Sequence, residues 1–211
     1  MQITFYSILK IKIIKNLPLG SGLGGGSADA SALLNFFNKR LKLNLKRRTI
    51  SLICNKIGAD VEPCLNTNFK LLYGASNKIF TFNKKPKLNL LLVYPNCLNP
   101  TKKIYLSNKI FSKSNNYKIS LLKKNILNLN YLFKFLNHEG NDLEQSAFKN
   151  NSVILKLLIS LKKLKGCKLA RMTGSGSACF AIFQNNAQLA KAIFVLKKHY
   201  KSYWIRKAKI I

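Results

Sequence analysis

Apolar residues along this chain recur at two spacings, and the switch between them marks out the elements. Ile11-Lys-Ile-Ile-Lys15 is β-branched and apolar, which predicts a strand. From Ser27 to Asn38, Ala30, Leu33, Leu34 and Phe37 fall three or four apart among strong helix formers, which predicts a helix. Leu45 to Ile57 repeats the pattern at Ile50, Ile53, Cys54 and Ile57, with Gly58 placed to end it. Phe69–Tyr73 and Lys78–Phe82 read as a hairpin turning at Gly74-Ala-Ser-Asn77. Leu88–Tyr94 is a buried strand, and Asn108–Asn130, rich in Asn, Lys and Ser, reads as a surface insertion or weak helix. Then come a helix over Val153–Leu164, strands over Lys168–Met172 and Ala178–Phe183 around a glycine turn, a helix over Ala187–Tyr200 and a last strand over Tyr203–Ile210. Strands and helices without a strict βαβ period predict an α+β fold, with helices packed on one side of largely antiparallel sheets. The polar joint Asn83-Lys-Lys-Pro-Lys87 places a domain boundary between 84 and 85.

Between the first strand and the first helix lies the densest glycine run: Pro18, Leu19, Gly20, Ser21, Gly22, Leu23, Gly24, Gly25, Gly26, Ser27 and Ala28. Five of the chain's 11 glycines fall in it. A glycine loop opening a helix aims backbone N–H groups and the positive helix end at one point, which attracts phosphate. A Walker loop is excluded, because no lysine lies between Lys15 and Lys39. Gly20-x-Gly22-x-x-Gly25 fits a dinucleotide fingerprint, but no acid occurs between Asp29 and Asp60 to hold a ribose. Three consecutive glycines followed by a serine leave a third kind of phosphate loop.

The 211 residues suffice for one large domain or two small ones. The net charge of +31 would by itself point to nucleic acid or an anionic surface. Its source is almost all lysine, spread along the chain and inflated together with asparagine and isoleucine, as codon bias in an AT-rich genome would produce. No nucleic-acid-binding motif accompanies it, and none is expected to operate. Cys54, Cys64, Cys97, Cys167 and Cys179 are odd in number and widely spaced, which predicts thiols in a reducing compartment. Neither a secretory signal nor a membrane-spanning apolar run is apparent, so a cytoplasmic protein without membrane contact is expected. His138 and His199 stand isolated and read as ordinary histidines.

Pro18–Ala30 resembles the ATP-binding motif of the GHMP kinases, and within them the branch that carries a triple glycine and phosphorylates 4-diphosphocytidyl-2-C-methyl-D-erythritol. Ile57-Gly-Ala-Asp-Val61 is similar to the catalytic segment of that branch, and Arg171-Met-Thr-Gly-Ser-Gly-Ser-Ala-Cys-Phe180 to its C-terminal glycine loop. Asn141-Asp-Leu-Glu144 is a shorter match, which on its own reads as a helix cap. The resemblance runs from about residue 9 to the end. It implies a two-domain fold: a ribosomal protein S5 domain 2-like, ATP-binding part over 1–84 and a ferredoxin-like part over 85–211. It also implies ATP and Mg²⁺ as cofactors, and transfer of the γ-phosphate to the 2-hydroxyl of the erythritol in non-mevalonate isoprenoid synthesis. Asp60 is implied as the base that takes the hydroxyl proton, and Gly174, Ser175 and Gly176 as a loop that closes over substrate and phosphates.

Read without the resemblance, Asp60 is one of only six acids in a lysine-rich chain and follows Gly58-Ala59, where a turn aspartate would bond its own backbone. Ser27 is placed either to meet a phosphate or Mg²⁺ or to cap the helix. Asp29 reads as a macrodipole partner, and Thr173-Gly-Ser-Gly-Ser177 could be a plain tight hairpin. A kinase for homoserine or a mevalonate derivative, an inactive nucleotide-binding remnant and a basic nucleic-acid binder are the alternatives. The family carries several dozen residues ahead of the glycine loop, with a Lys-Ile-Asn-Leu-like strand whose lysine assists the aspartate. Lys10, Lys12 and Lys15 lie too close to the loop for that part. The expectation is a chain that, expressed alone, is poorly soluble or inactive.

Overall fold

The computed structural model describes residues 10–73, 78–109, 111–112 and 115–210. Its centre is a four-stranded antiparallel sheet built from β3 (Asn89–Tyr94), β4 (Cys167–Met172), β5 (Cys179–Phe183) and β6 (Trp204–Ala208), in the order β4-β5-β3-β6. Strand period 2 sends Leu91, Val93, Ala170, Met172, Cys179, Ala181, Phe183 and Ile205 to one face. On that face lie α7 (Ser152–Lys163) and α8 (Asn186–His199), which bury Leu157, Leu161, Leu189 and Leu196. The cluster is extended by α3 (Thr101–Ser107) and α6 (Glu144–Asn150) through Ile104, Leu143 and Ala147. Asn151 and Asn185 cap α7 and α8 by accepting from Val153 and Gln188 N–H groups.

A second core forms where the hairpin of β1 (Lys70–Tyr73) and β2 (Lys78–Thr81) meets α4 (Asn116–Asn125) and α5 (Leu129–His138). The expected turn, Gly74–Asn77, lies outside the described residues. The stretch expected as an insertion or weak helix, Asn108–Asn130, thus contains the capped helix α4 and the capped start of α5. Asn115 accepts from Tyr117 and Lys118, Asn128 accepts from Tyr131, and Leu122, Ile126 and Leu132 pack under Phe82.

The glycine-rich half consists of α1 (Gly25–Arg40), α2 (Arg47–Ile57) and a 3₁₀ turn over Glu62–Leu65. Ser31 donates to the Cys64 carbonyl at 3.0 Å and Asn35 to that of Leu65 at 2.8 Å, which fastens the turn to α1. Gly58 ends α2 as expected, its N–H bonded to Cys54 O at 2.8 Å. Ile11–Lys15 departs from expectation: it belongs to no strand or helix, and Ile11, Ile13 and Ile14 are exposed. A β-branched run becomes a strand only by ladder pairing, and no described segment pairs with it. The α+β class holds. No helix among the described residues is long and apolar enough to cross a membrane.

Candidate active site

Residues Ile14 to Asp29 fold around a cleft of about 410 Å³, so all of Pro18–Ala28 share one wall. Ser21, only 3% exposed, pins the start of the loop by donating to Pro18 O at 2.7 Å. Gly24 then takes a left-handed conformation (φ 70°) as the N-cap of α1, and it offers no side chain to the helix end. Ser27 lies inside the first turn, so it is not the cap. Neither its hydroxyl nor any N–H from Gly22 to Ser27 has an acceptor among the described residues. A Cβ on Gly26 would meet nothing within 4 Å. The start of a 16-residue helix therefore faces open space with its donors free. Lys15 reaches across the mouth and pairs with Asp29, which places an ammonium at the cleft and gives Asp29 a partner beyond the helix dipole.

The second glycine loop, Thr173–Ser177 between β4 and β5, lies directly against the first. Ala178 N–H donates to Ser21 O at 2.9 Å, and Gly22 (φ +76°) passes so close that a Cβ would stand 2.6 Å from Thr173 O and 2.8 Å from Gly176 O. The loop closes with Gly176 N–H on Thr173 O at 2.8 Å, while the N–H groups of Gly174 and Ser175 have no acceptor among the described residues. Asn141 is not the helix cap expected of it, since the N-cap of α6 is Leu143, without a side-chain bond. Asn141 donates to Met172 O at 3.1 Å and Gly174 O at 2.8 Å, while its own oxygen accepts from Leu143 N–H. Glu144 accepts from Met172 N–H at 2.9 Å, and Asp142 holds Ser112 through its N–H and hydroxyl. These contacts join residues about 30 apart and were not legible from spacing.

Beyond the second loop a wider cleft of about 780 Å³ is walled by Tyr105 and Phe111, Asp142, Arg171, Thr173 and Phe180. The Tyr105 and Phe111 rings lie nearly parallel, 6.3 Å apart. Arg171 donates to Leu136 O in the last turn of α5, and burial pulls its guanidinium below its ordinary pKa, with Glu144 and Glu139 opposing.

Asp60 lines neither cleft. It stands exposed in the turn between α2 and the 3₁₀ segment, ahead of Val61, which is 1% exposed. It accepts no hydrogen bond from the described residues, so it is not tied up as a self-bonded turn residue.

Comparison with known proteins agrees with this geometry. Residues 2–67 match the GHMP kinases N terminal domain and residues 120–202 the GHMP kinases C terminal model. Over 96% of this chain and 69% of its own length, the 4-diphosphocytidyl-2-C-methyl-D-erythritol kinase of Pelagibacter ubique is 31% identical. The chain belongs to the GHMP kinase family. The enzyme of the same name from Caldanaerobacter subterraneus subsp. tengcongensis is 36% identical over 91% of this chain and 66% of its own length. The chain thus spans about two thirds of the length of the curated relatives it matches. Among solved structures, a 4-(cytidine 5'-diphospho)-2C-methyl-D-erythritol kinase superposes with a TM-score of 0.68 at 20% identity, over 92% of this chain and 68% of that one. A homoserine kinase from Cytophaga hutchinsonii gives 0.61 at 18%, over 93% of this chain and 69% of that one. These likenesses carry the fold, which is the GHMP kinase architecture.

Proposed function

We propose that this GHMP kinase chain takes part in transferring the γ-phosphate of ATP to the 2-hydroxyl of 4-diphosphocytidyl-2-C-methyl-D-erythritol, in non-mevalonate isoprenoid precursor synthesis. Residues 1–84 form the ATP-binding part and residues 85–211 the second domain. One observation carries the reading: the uncapped start of α1, with free N–H groups and Lys15 at its mouth, opens on a cleft. Relatives named for that kinase, at 36% and 31% identity, favour this acceptor, while a homoserine kinase shares the fold.

In this reading the Pro18–Ala28 backbone binds the triphosphate, whose charge suits the helix start. The open space at Gly26 lets the phosphates approach the backbone. The free Ser27 hydroxyl and the neighbouring Asp29 carboxylate are oxygen donors suited to Mg²⁺, which neutralises phosphate charge when bound. Asp60 takes the proton from the acceptor hydroxyl, and its lack of partners leaves both carboxylate oxygens available. In the adjoining second loop, Gly174 and Ser175 supply free N–H groups, and Gly176 closes the loop behind them through its N–H on Thr173 O. The flat Tyr105–Phe111 surface and Arg171 of the wider cleft suit the nucleobase and diphosphate of the acceptor.

The test combines nucleotide binding with turnover. ATP is titrated into the purified chain, and product formation from 4-diphosphocytidyl-2-C-methyl-D-erythritol, homoserine and mevalonate is followed. Expected is ATP binding, with any turnover confined to the first acceptor and reduced about 10²–10⁴-fold in Asp60→Asn at retained ATP affinity. Binding without turnover of any acceptor would favour the inactive remnant. Absence of ATP binding would overturn the reading.

A further inference from the structure

Neither cleft is lined by Asn99, yet this residue is 3% exposed and bonded at both ends of its side chain. It sits in the connection between β3 and α3, and its Nδ2 donates to Ser175 O at 2.5 Å. The opposite end, Oδ1, accepts from Asn150 Nδ2 of α6 at 2.8 Å. The orientation of both amides follows from chemistry: a carbonyl only accepts, so Asn99 must present its NH₂ group to Ser175 and its oxygen to Asn150. Alongside, Thr101 Oγ1 and Ser175 Oγ stand 2.9 Å apart, and Ser177 Oγ donates to Cys97 O. One short connection and the first residue of α3 thus hold the second glycine loop through three contacts, two at Ser175 and one at Ser177.

We propose that Asn99, backed by Asn150, is a positioning residue for phosphoryl transfer. By drawing the Ser175 carbonyl toward itself it sets the orientation of the loop whose Gly174 and Ser175 N–H groups remain free. The inference rests on the kinase reading and goes beyond it, since Asn99 touches neither nucleotide nor acceptor. The physical reason is the cost of the alternative. With Asn99 removed, a nearly buried carbonyl and the Asn150 amide both lose a partner, and the loop regains freedom that Asn141 and Glu144 restrain only at its β4 end. Asn99 makes no bond to the first loop, whose own ties are Ser21 on Pro18 O and the start of α1, so nucleotide binding there should persist while the transfer geometry degrades.

The experiment uses Asn99→Leu, nearly isosteric and without hydrogen bonds, and Asn150→Leu, which leaves the Asn99–Ser175 bond in place but unsupported. Amide exchange across residues 173–178 is followed in the ligand-free chain, with kcat and the KM for ATP measured in parallel. In Asn99→Leu, exchange of the second loop should quicken about tenfold, the scale of one lost buried hydrogen bond, and kcat should fall at least as far with KM for ATP unchanged. Asn150→Leu should move both in the same direction by less, and the double variant should fall short of the sum of the two. Faster exchange with kcat and KM untouched would make Asn99 merely structural and overturn the proposal. So would a rise in KM for ATP at constant kcat, or unchanged exchange. A chain without turnover before substitution would remove the kinase reading instead, and exchange would still decide whether Asn99 sets the loop.

Discussion

Where a side chain on Gly26 of the first glycine loop would point into open space, one on Gly176 of the second would stand 2.6 Å from Met172 Sδ. The difference runs through every bond the two loops make. Ser21 ties down the start of the first loop, and thereafter its donors are free. Asn99, Thr101, Asn141 and the ends of its own hairpin hold the second. Glycine therefore serves two ends in one molecule: in the first loop it keeps space clear over a helix terminus, and in the second it lets backbone fit among packed side chains. The two loops meet at Gly22, where backbone lies against backbone.

That contrast can be broken at its joint. Gly22→Ala combines a left-handed φ with backbone oxygens at 2.6 and 2.8 Å, and should destabilise the chain by about 3 kcal/mol or more in denaturant titration. Loosening only the held loop is milder. Asn141→Leu removes bonds to two carbonyls and should cost about 1–3 kcal/mol by the same measurement, with ATP affinity little changed. Gly26→Ala should act the other way round. In a helix with room for a methyl it should stabilise by up to about 1 kcal/mol while weakening ATP binding about tenfold, seen by comparing melting curves with calorimetry. Smallest of all, Asp29→Asn breaks a pair whose side chains are 36% and 34% exposed and should shift stability by less than about 1 kcal/mol.

The same contrast explains what could be read from the sequence. Glycine density before a helical repeat announced the first loop, because its chemistry is local: backbone, helix start and the absence of side chains. The central strands and α7 and α8 were legible for the same reason, each carrying its period in its own residues. Ile11–Lys15 has a strand's composition, but pairing is a property of neighbours and none lies beside it among the described residues. Asparagine and lysine between 108 and 130 masked Ile119, Leu122 and Ile126, whose spacing of three and four marks a buried helical face. Ser27 has the right chemistry for a cap but stands three residues beyond Gly24, which needs no side chain to fill that place. The grip on the second loop was out of reach. Asn99 lies 76 residues from Ser175 and 51 from Asn150, and nothing in three scattered polar residues marks them as one network.

The central claim, that the first loop is a nucleoside triphosphate site, is tested most directly by titrating ATP with Mg²⁺ into the purified chain at low and high salt. A chain of net charge +31 attracts any polyanion, but such attraction collapses as salt screens it. The account predicts saturable binding of one ATP per chain that survives high salt and weakens in Gly26→Ala. Binding that vanishes with salt, or that ignores the methyl at Gly26, would contradict it.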